Sequence, residues 1–361
     1  MHWAYTALEI IKKKNIAHRN WRFALNDAFA LLIASAVGEV ICITGPLRAG
    51  KSKLIKALMK LIEGGNQQIN TDDQIAVNVL ATNCSVGGAF CTKAFTIRAL
   101  EAVRHPIYGI VHDDVEKEIK RQRLLGRTAE GVLRPALESA LRIRNTRYIF
   151  IDEAQHIEHA KRGLKGTKAI LDSWKCLAQS TDTTLILVGA YPILELLKSC
   201  SHMLGRKHQV HLPRYTVKDN DLLAFSEIVD AYNDHVILPK GVSSLEEWAD
   251  LLYDGSLGCI GLLEGWLRDA LARVISYGND ELTQEHFKIT RRPLSEEQEI
   301  VREIIEGEAF LEKDDTELRD ENYIIEPPSK LPSGPASKKR KRKPFQRNPK
   351  RYKIGGRLPK K

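Results

Sequence analysis

The sequence is poor in cysteine, and none of its cysteines come in pairs. Six are spread over 361 residues (Cys42, Cys84, Cys91, Cys176, Cys200 and Cys259) with no CxxC among them, which argues against a disulfide framework or zinc site and for reduced, packed thiols. Long hydrophobic runs are missing too. A membrane span needs roughly eighteen unbroken apolar residues, and the longest candidate, 24–37, is interrupted by Asn26, Asp27 and Ser35. The opening MHWAYTALEIIKKK lacks the basic-then-apolar order and small-residue cleavage site of a secretory signal. A cytoplasmic protein with no membrane partner is therefore expected. Acidic residues are absent from 336–361, where thirteen Lys and Arg stand. Subtracting these from the net charge of +9 leaves the other 335 residues at −4, so a mildly acidic body carries a strongly basic tail. The body itself is ordinary: 43% hydrophobic and 28% charged residues allow a sizeable core and exclude wholesale disorder.

Patterning divides the chain. Apolar positions three and four apart predict helices over 5–14 and 21–36, with Asn20 as a candidate cap. Strand runs at 40–44, 74–81, 148–151, 184–189 and 209–212 then alternate with helical stretches at 51–62, 93–103, 114–142 and 167–180. Such alternation predicts an α/β fold with a central parallel sheet covered on both faces. After Pro213 the strand signals stop, and 219–235, 244–253, 258–277 and 283–290 all show helical spacing. The expected organisation is a helical entry segment (1–39), an α/β core (40–215), a small helical domain (216–310) and a tail (311–361). The tail begins acidic, passes through PPSKLPSGPAS and ends basic, a composition expected to be disordered alone. No internal repeat is present.

Two stretches carry chemistry. Gly45-Pro-Leu-Arg-Ala-Gly-Lys51-Ser52 matches GxxxxGK[ST], follows an apolar strand and opens a helical stretch, the context a phosphate-binding P-loop requires. Backbone N–H groups of Gly45, Pro46, Arg48, Ala49, Gly50 and the first helical residues through Lys53 can face phosphate, apart from proline's missing donor. Lys51 would reach the β- and γ-phosphates of ATP and Ser52 would hold Mg²⁺. A hundred residues on, Tyr148-Ile-Phe-Ile-Asp152-Glu153 reads as a buried strand that delivers two carboxylates to the sheet's C-terminal edge. Asp152 would orient Mg²⁺ and Glu153 would polarise the attacking water. A carboxylate pair alone is also what a solvated strand end looks like; its pairing with the P-loop is what makes the chemical reading strong.

The P-loop, the IFIDEAQHI stretch and the LILVGAYP stretch together resemble the AAA+ ATPases, and among them the TnsC/TniB type of transposition regulator, relatives of MuB. The resemblance covers roughly 15–275. It implies an AAA+ fold with a C-terminal helical lid, an ATPase using ATP and Mg²⁺, and homo-oligomers in which a neighbour's arginine completes each site. Arg206, just before the last strand, is the finger candidate, with Arg214 second. Two departures stand out. Gly189-Ala190-Tyr191 offers no polar sensor side chain at its first two places, so sensing is weak or passes to Tyr191. The glycine-marked turn Ser256–Gly261 has no arginine beside it, and Arg268 is a poor substitute. Both fit slow hydrolysis.

The same resemblance puts the loop after the second strand, 83–93, toward the central channel of a ring, and Lys93, Thr96 and Arg98 are the candidate contacts to double-stranded DNA. Lys161, Arg162, Lys165 and Lys168 form a secondary cluster. These are phosphate-binding types without a base-reading set, so binding is expected to be salt-sensitive and independent of sequence. The run Lys338–Lys343, with Phe345 and Tyr352 nearby, has three readings: a nucleic-acid clamp, a dock for an acidic or DNA-bound partner such as a transposase, or a nuclear address, the last disfavoured by resemblance to a prokaryotic family. The implied function is an ATP-dependent regulator of transposition, of a kind that CRISPR-associated transposons also use. It would assemble as a ring or filament on duplex DNA, link a TniQ-like target-selection protein to the transposase, and disassemble on hydrolysis. Two alternatives stand beside it: a replication-initiator or helicase-loader protein, and a nucleotide-gated signalling or defence ATPase that never touches DNA.

Overall fold

Five strands account for the apolar runs, and the computed structural model describes them within residues 2–14, 16–64, 73–81, 88–200 and 207–317. They are β1 (Val40–Thr44), β2 (Ala76–Leu80), β3 (Tyr148–Asp152), β4 (Thr184–Gly189) and β5 (Lys207–His211), in the spatial order β2-β3-β4-β1-β5 with every pairing parallel. Both faces are buried, which is why runs such as VICIT and TLILVG show no polar alternation. Ile41, Ile43, Phe150, Ile186 and Val188 point to one face, beneath α2 (Arg19–Ala34) and α3 (Lys51–Gly64). Val40, Cys42, Ile149, Ile151, Leu185 and Leu187 point to the other, beneath α4 (Thr92–Ala102), α6 (Glu130–Ile143), α7 (Gly163–Ser180) and α8 (Pro192–Lys198). Each such side chain, fully buried, contributes roughly 1.5–3 kcal/mol over its exposed state.

Two local expectations give way. The single helix expected over 114–142 is two, α5 (Val115–Arg127) and α6, because Thr128 turns extended and its hydroxyl donates to the Leu124 carbonyl, ending α5. The break frees α6 to lay Leu133, Leu137 and Leu141 on the core, while α5 is held by buried Arg121 bonded to Glu101, Glu118 and the Tyr108 carbonyl. The cap of α2 is His18, whose Nδ1 accepts from the Trp21 N–H, and not Asn20. Asn20 lies inside the first turn and donates to the carbonyls of Pro213 and Arg214.

Beyond β5 the chain is helical: α9 (Asp219–Asp230), α10 (Ala249–Ser256), α11 (Ile260–Tyr277) and α12 (Gln284–Thr290), with short 3-10 turns at Asn233–His235 and Leu245–Trp248. They enclose Phe225, Tyr232, Trp266, Leu271 and Phe287. Helix α1 (His2–Lys13) packs into this same cluster through Ala4, Ala7 and Ile11, spaced three and four apart on one face. The first forty residues thus serve two layers, α1 the helical domain and α2 the sheet.

A further helix, α13 (Leu294–Glu317), runs across position 311, where the tail was expected to begin. Its Phe310 and Leu311 pack against the sheet-side core, and its Glu308 accepts two bonds from Arg214 at 2.9 and 3.1 Å. Residues 1–313 form one compact unit. The rest of the acidic run, the Pro/Ser linker and the basic tail with Lys338–Lys343, Phe345 and Tyr352 lie outside the described residues. Among the described residues no helix is long and apolar enough to cross a membrane.

Candidate functional site

The loop between β1 and α3 is shaped by two glycines. A Cβ on Gly45 would lie 2.4 Å from the Leu212 carbonyl oxygen, and Gly50 sits at φ +100°, where side chains are strained. Arg48 also takes a left-handed φ of 56°. The curled loop presents its carbonyls to Lys51, whose Nζ donates to Gly45 O at 2.9 Å and Pro46 O at 2.8 Å. Burial pulls the Lys51 pKa down, opposed by Glu153, Glu303 and Asp152. Ala49 is buried in the curl.

Strand β3 brings its end to the same edge. Asp152 accepts from the Ser52 hydroxyl at 2.9 Å and from the Glu153 N–H at 3.0 Å. Burial raises the Asp152 pKa, opposed by the Ser52 bond. Ser52 and Asp152 therefore offer two hard oxygens side by side, a donor set suited to Mg²⁺, which takes only one or two protein ligands and completes its shell with phosphate and water. Among the described residues no group of three or more His, Cys, Asp or Glu is placed to hold a metal by itself. Glu153 stands at φ 57°, a left-handed conformation uncommon outside glycine, which turns the chain out of the strand and into the 3-10 turn Ala154–His159.

Both stretches open on a cavity of about 370 Å³. Its polar lining comes from the P-loop and the stretch after β3, with Arg48, Lys51, Ser52, Lys53, Glu153 and Gln155; the largely apolar remainder comes from Ile16, Ala17, His18, Trp21, Tyr232 and Ile260, with Trp21 next to Gly50. The helical domain closes one wall with Gly261, Glu264 and Arg268. The contact is close: Gly261 N donates to Arg48 O at 3.1 Å, and a Cβ on Gly261 would lie 2.2 Å from that oxygen. Lys53 turns from the loop to Glu264 at 3.2 Å. Burial holds the His18 pKa down to about 4, with Lys53 and Arg19 adding to the effect, so this imidazole is neutral at pH 7.

The other candidates fall in different places. Arg206 lies outside the described residues, as does 83–87 of the second-strand loop. Arg214 is paired with Glu308 within its own chain. Thr96 is 3% exposed and its hydroxyl donates to Thr92 O, which removes it from the DNA candidates: a side chain sealed inside α4 cannot meet a phosphate. Lys93 Nζ donates to Gly126 O at 3.1 Å and Arg98 donates to Leu80 O at 3.2 Å, both at the surface. Lys161, Arg162 and Lys165 are exposed at the start of α7. Tyr191 is buried, bonded through its hydroxyl to His211 at 3.0 Å and covered by Gly307, so it does not line the cavity. Arg268 does line it, with its Nε buried and unbonded.

The apolar part of the lining was not legible in the sequence. His18, Trp21, Tyr232 and Ile260 have no common motif; the one signal was the pair Gly258 and Gly261 around the start of α11.

Residues 37–197 match the family model of the AAA domain, somewhat under half of the chain. None of the curated proteins matches the sequence. Among solved structures, the chain is similar to the Walker-type ATPase of Pyrococcus abyssi (14% identity, TM-score 0.47, covering 85% of this chain and 78% of that one). It is also similar to ORC2 of Aeropyrum pernix (15%, 0.47, 74% and 66%) and to the Drosophila ORC bound to DNA (11%, 0.48, 80% and 65%). The chain thus spans just under two thirds of those two relatives. The parallel sheet and the P-loop at the end of β1 define a P-loop ATPase, and its residues 37–197 are similar to the AAA domain.

Proposed function

We propose that this ATPase uses ATP as an assembly switch on duplex DNA, as a regulator of transposition of the TnsC/TniB type. The observation that carries the nucleotide part is the Ser52–Asp152 bond beside buried Lys51, at the mouth of a cavity walled by both core and helical domain. The apolar lining of Ile16, Trp21, Tyr232 and Ile260 suits a purine, and the curled loop suits its triphosphate. Lys51 exchanges the carbonyls of Gly45 and Pro46 for phosphate oxygens. Ser52 and Asp152 would hold Mg²⁺, which when bound would neutralise charge building on the phosphates. Glu153 accepts a proton from the attacking water, and Arg206 of a neighbouring copy completes the site. Because that last charge arrives only in the assembly, hydrolysis depends on oligomerisation.

The DNA part rests on the motif resemblance, on half-buried Lys93 and the exposed cations Lys161, Arg162 and Lys165, and on the basic tail. Transposase and a TniQ-like protein are the proposed partners. An initiator or helicase-loader reading asks for a winged-helix domain after the lid; among the described residues, the chain beyond α12 is the single helix α13. The test is electron microscopy of the full chain with duplex DNA and a non-hydrolysable ATP analogue. Rings or filaments that form with the wild type and not with Lys51→Ala support the reading. Nucleotide binding without any change in DNA affinity at low and high salt would leave the ATPase and remove the DNA switch.

A further inference from the structure

Glu153 is tied to the sheet by one side chain that the motifs do not announce. Gln155 donates from Nε2 to Glu153 Oε2 at 2.6 Å, and its Oε1 accepts from the Ala190 N–H at 3.2 Å. These partners fix which way the amide points: turned over, it would set oxygen against carboxylate and NH₂ against N–H. Gly189, the last residue of β4, makes the space. A Cβ there would lie 2.4 Å from Gln155 Oε1, while the next nearest atoms, Gln155 N and Ala154 N, stay at 3.5 and 3.6 Å. The missing polar side chain at the end of β4 and the presence of Gln155 are therefore one arrangement: the strand gives up its side chain so that the glutamine can reach its backbone.

We propose, resting on the P-loop ATPase reading above, that Gln155 is the positioning residue of this site, holding the Glu153 carboxylate to the end of β4. A general base must stand within hydrogen-bond reach of the water it activates. Glu153, partly exposed and following a strand that has already ended, has no other rigid anchor for its side chain among the described contacts except His156 at 3.9 Å. The Gln155 amide supplies one by bonding to a backbone N–H just past Gly189, whose strand position pairs with Thr44 at the start of the P-loop. The carboxylate is thereby indexed to the edge that carries Lys51 and Ser52, and a shift at the end of β4 is passed to Glu153 through a single side chain.

The test uses the full-length protein, with steady-state ATP hydrolysis in Mg²⁺ measured with and without duplex DNA, and equilibrium binding of a fluorescent non-hydrolysable ATP analogue. Gln155→Ala is expected to lower kcat about 10- to 100-fold, the scale of a misplaced reacting group, with KM and analogue affinity unchanged within about threefold. Gly189→Ala keeps every polar group and puts a methyl where the amide oxygen sits. It is expected to lower kcat by a similar factor, and it carries the test if Gln155→Ala folds poorly. Because both changes cut the same link, the double variant should be no slower than the slower single one; independent structural damage would multiply. Multiplying losses, or a Gln155→Ala kcat within about twofold of wild type, would overturn the assignment. Wild-type protein that hydrolyses no ATP under either condition would instead overturn the ATPase reading on which it rests.

Discussion

One part of the cavity lining comes from short stretches, 47–53, Glu153 and Gln155 with Ala190; the other is gathered from 16–18, Trp21, Tyr232 and the start of α11. The first part works through backbone: a curled loop, a helix N-terminus and the terminus of a buried strand. Its chemistry survives only if the few charged side chains set in that frame are kept. The second part works through apolar contact and the fit of the helical domain. Changes in the first part should therefore abolish function in a folded protein, and changes in the second should grade both affinity and stability.

The sharpest break of that contrast is Lys51→Ala. Two charge-assisted bonds are lost toward phosphate, so affinity for an ATP analogue should fall by at least about 100-fold, read by fluorescence titration. The fold should hold, because burying this ammonium costs stability. Glu153→Gln separates binding from turnover: hydrolysis falls about 10²- to 10⁴-fold while affinity for the analogue stays within about threefold. In microscopy with ATP and DNA, assemblies of this variant should persist where wild type disassembles. Loss of assembly would refute the role given to Glu153.

In the helical domain, Gly261→Ala forces a methyl against the Arg48 carbonyl, a backbone atom that cannot step aside alone. Affinity should drop about 10-fold and stability by about 1–3 kcal/mol, as measured by titration and denaturant melts. The smallest effect is pH-linked. His18 has its pKa lowered from 6.5 to about 4 by burial, so the unfolded chain binds a proton that the folded one refuses. Stability from this group is full above pH 6.5 and is lost as pH falls toward 4. Between pH 7 and 5.5 wild type should lose about 1 kcal/mol that His18→Asn does not, read from urea midpoints.

Much of the core was legible because its signals are local. The runs at Val40–Thr44 and Thr184–Gly189 are apolar on both faces, which only a covered parallel strand tolerates, and their limits stand where the pattern put them. The break at Thr128 was not legible, since 114–142 keeps a helical period across it and one hydroxyl bond decides the turn. Helix α13 was hidden for another reason. Its apolar residues Ile300, Ile304, Phe310 and Leu311 are thinly set among carboxylates, and their partners stand a hundred or more residues earlier in α8 and around Tyr191, or in α11. Thr96 reads as a surface threonine after a cationic residue and is sealed only because α4 turns that face inward.

What the amino-acid order determined by itself is the phosphate loop on its strand, the carboxylate pair at the end of another, and the alternation that makes a parallel sheet. Each is written in contiguous residues, and contiguous backbone is enough to build it. Tertiary structure alone decided that Arg48 seats against Gly261, that Arg214 is claimed by Glu308, and that Gln155 spans from Glu153 to Ala190. Those contacts depend on distances between side chains and backbone groups that local sequence does not measure, and they are set only when sheet, helical domain and α13 have closed on one another.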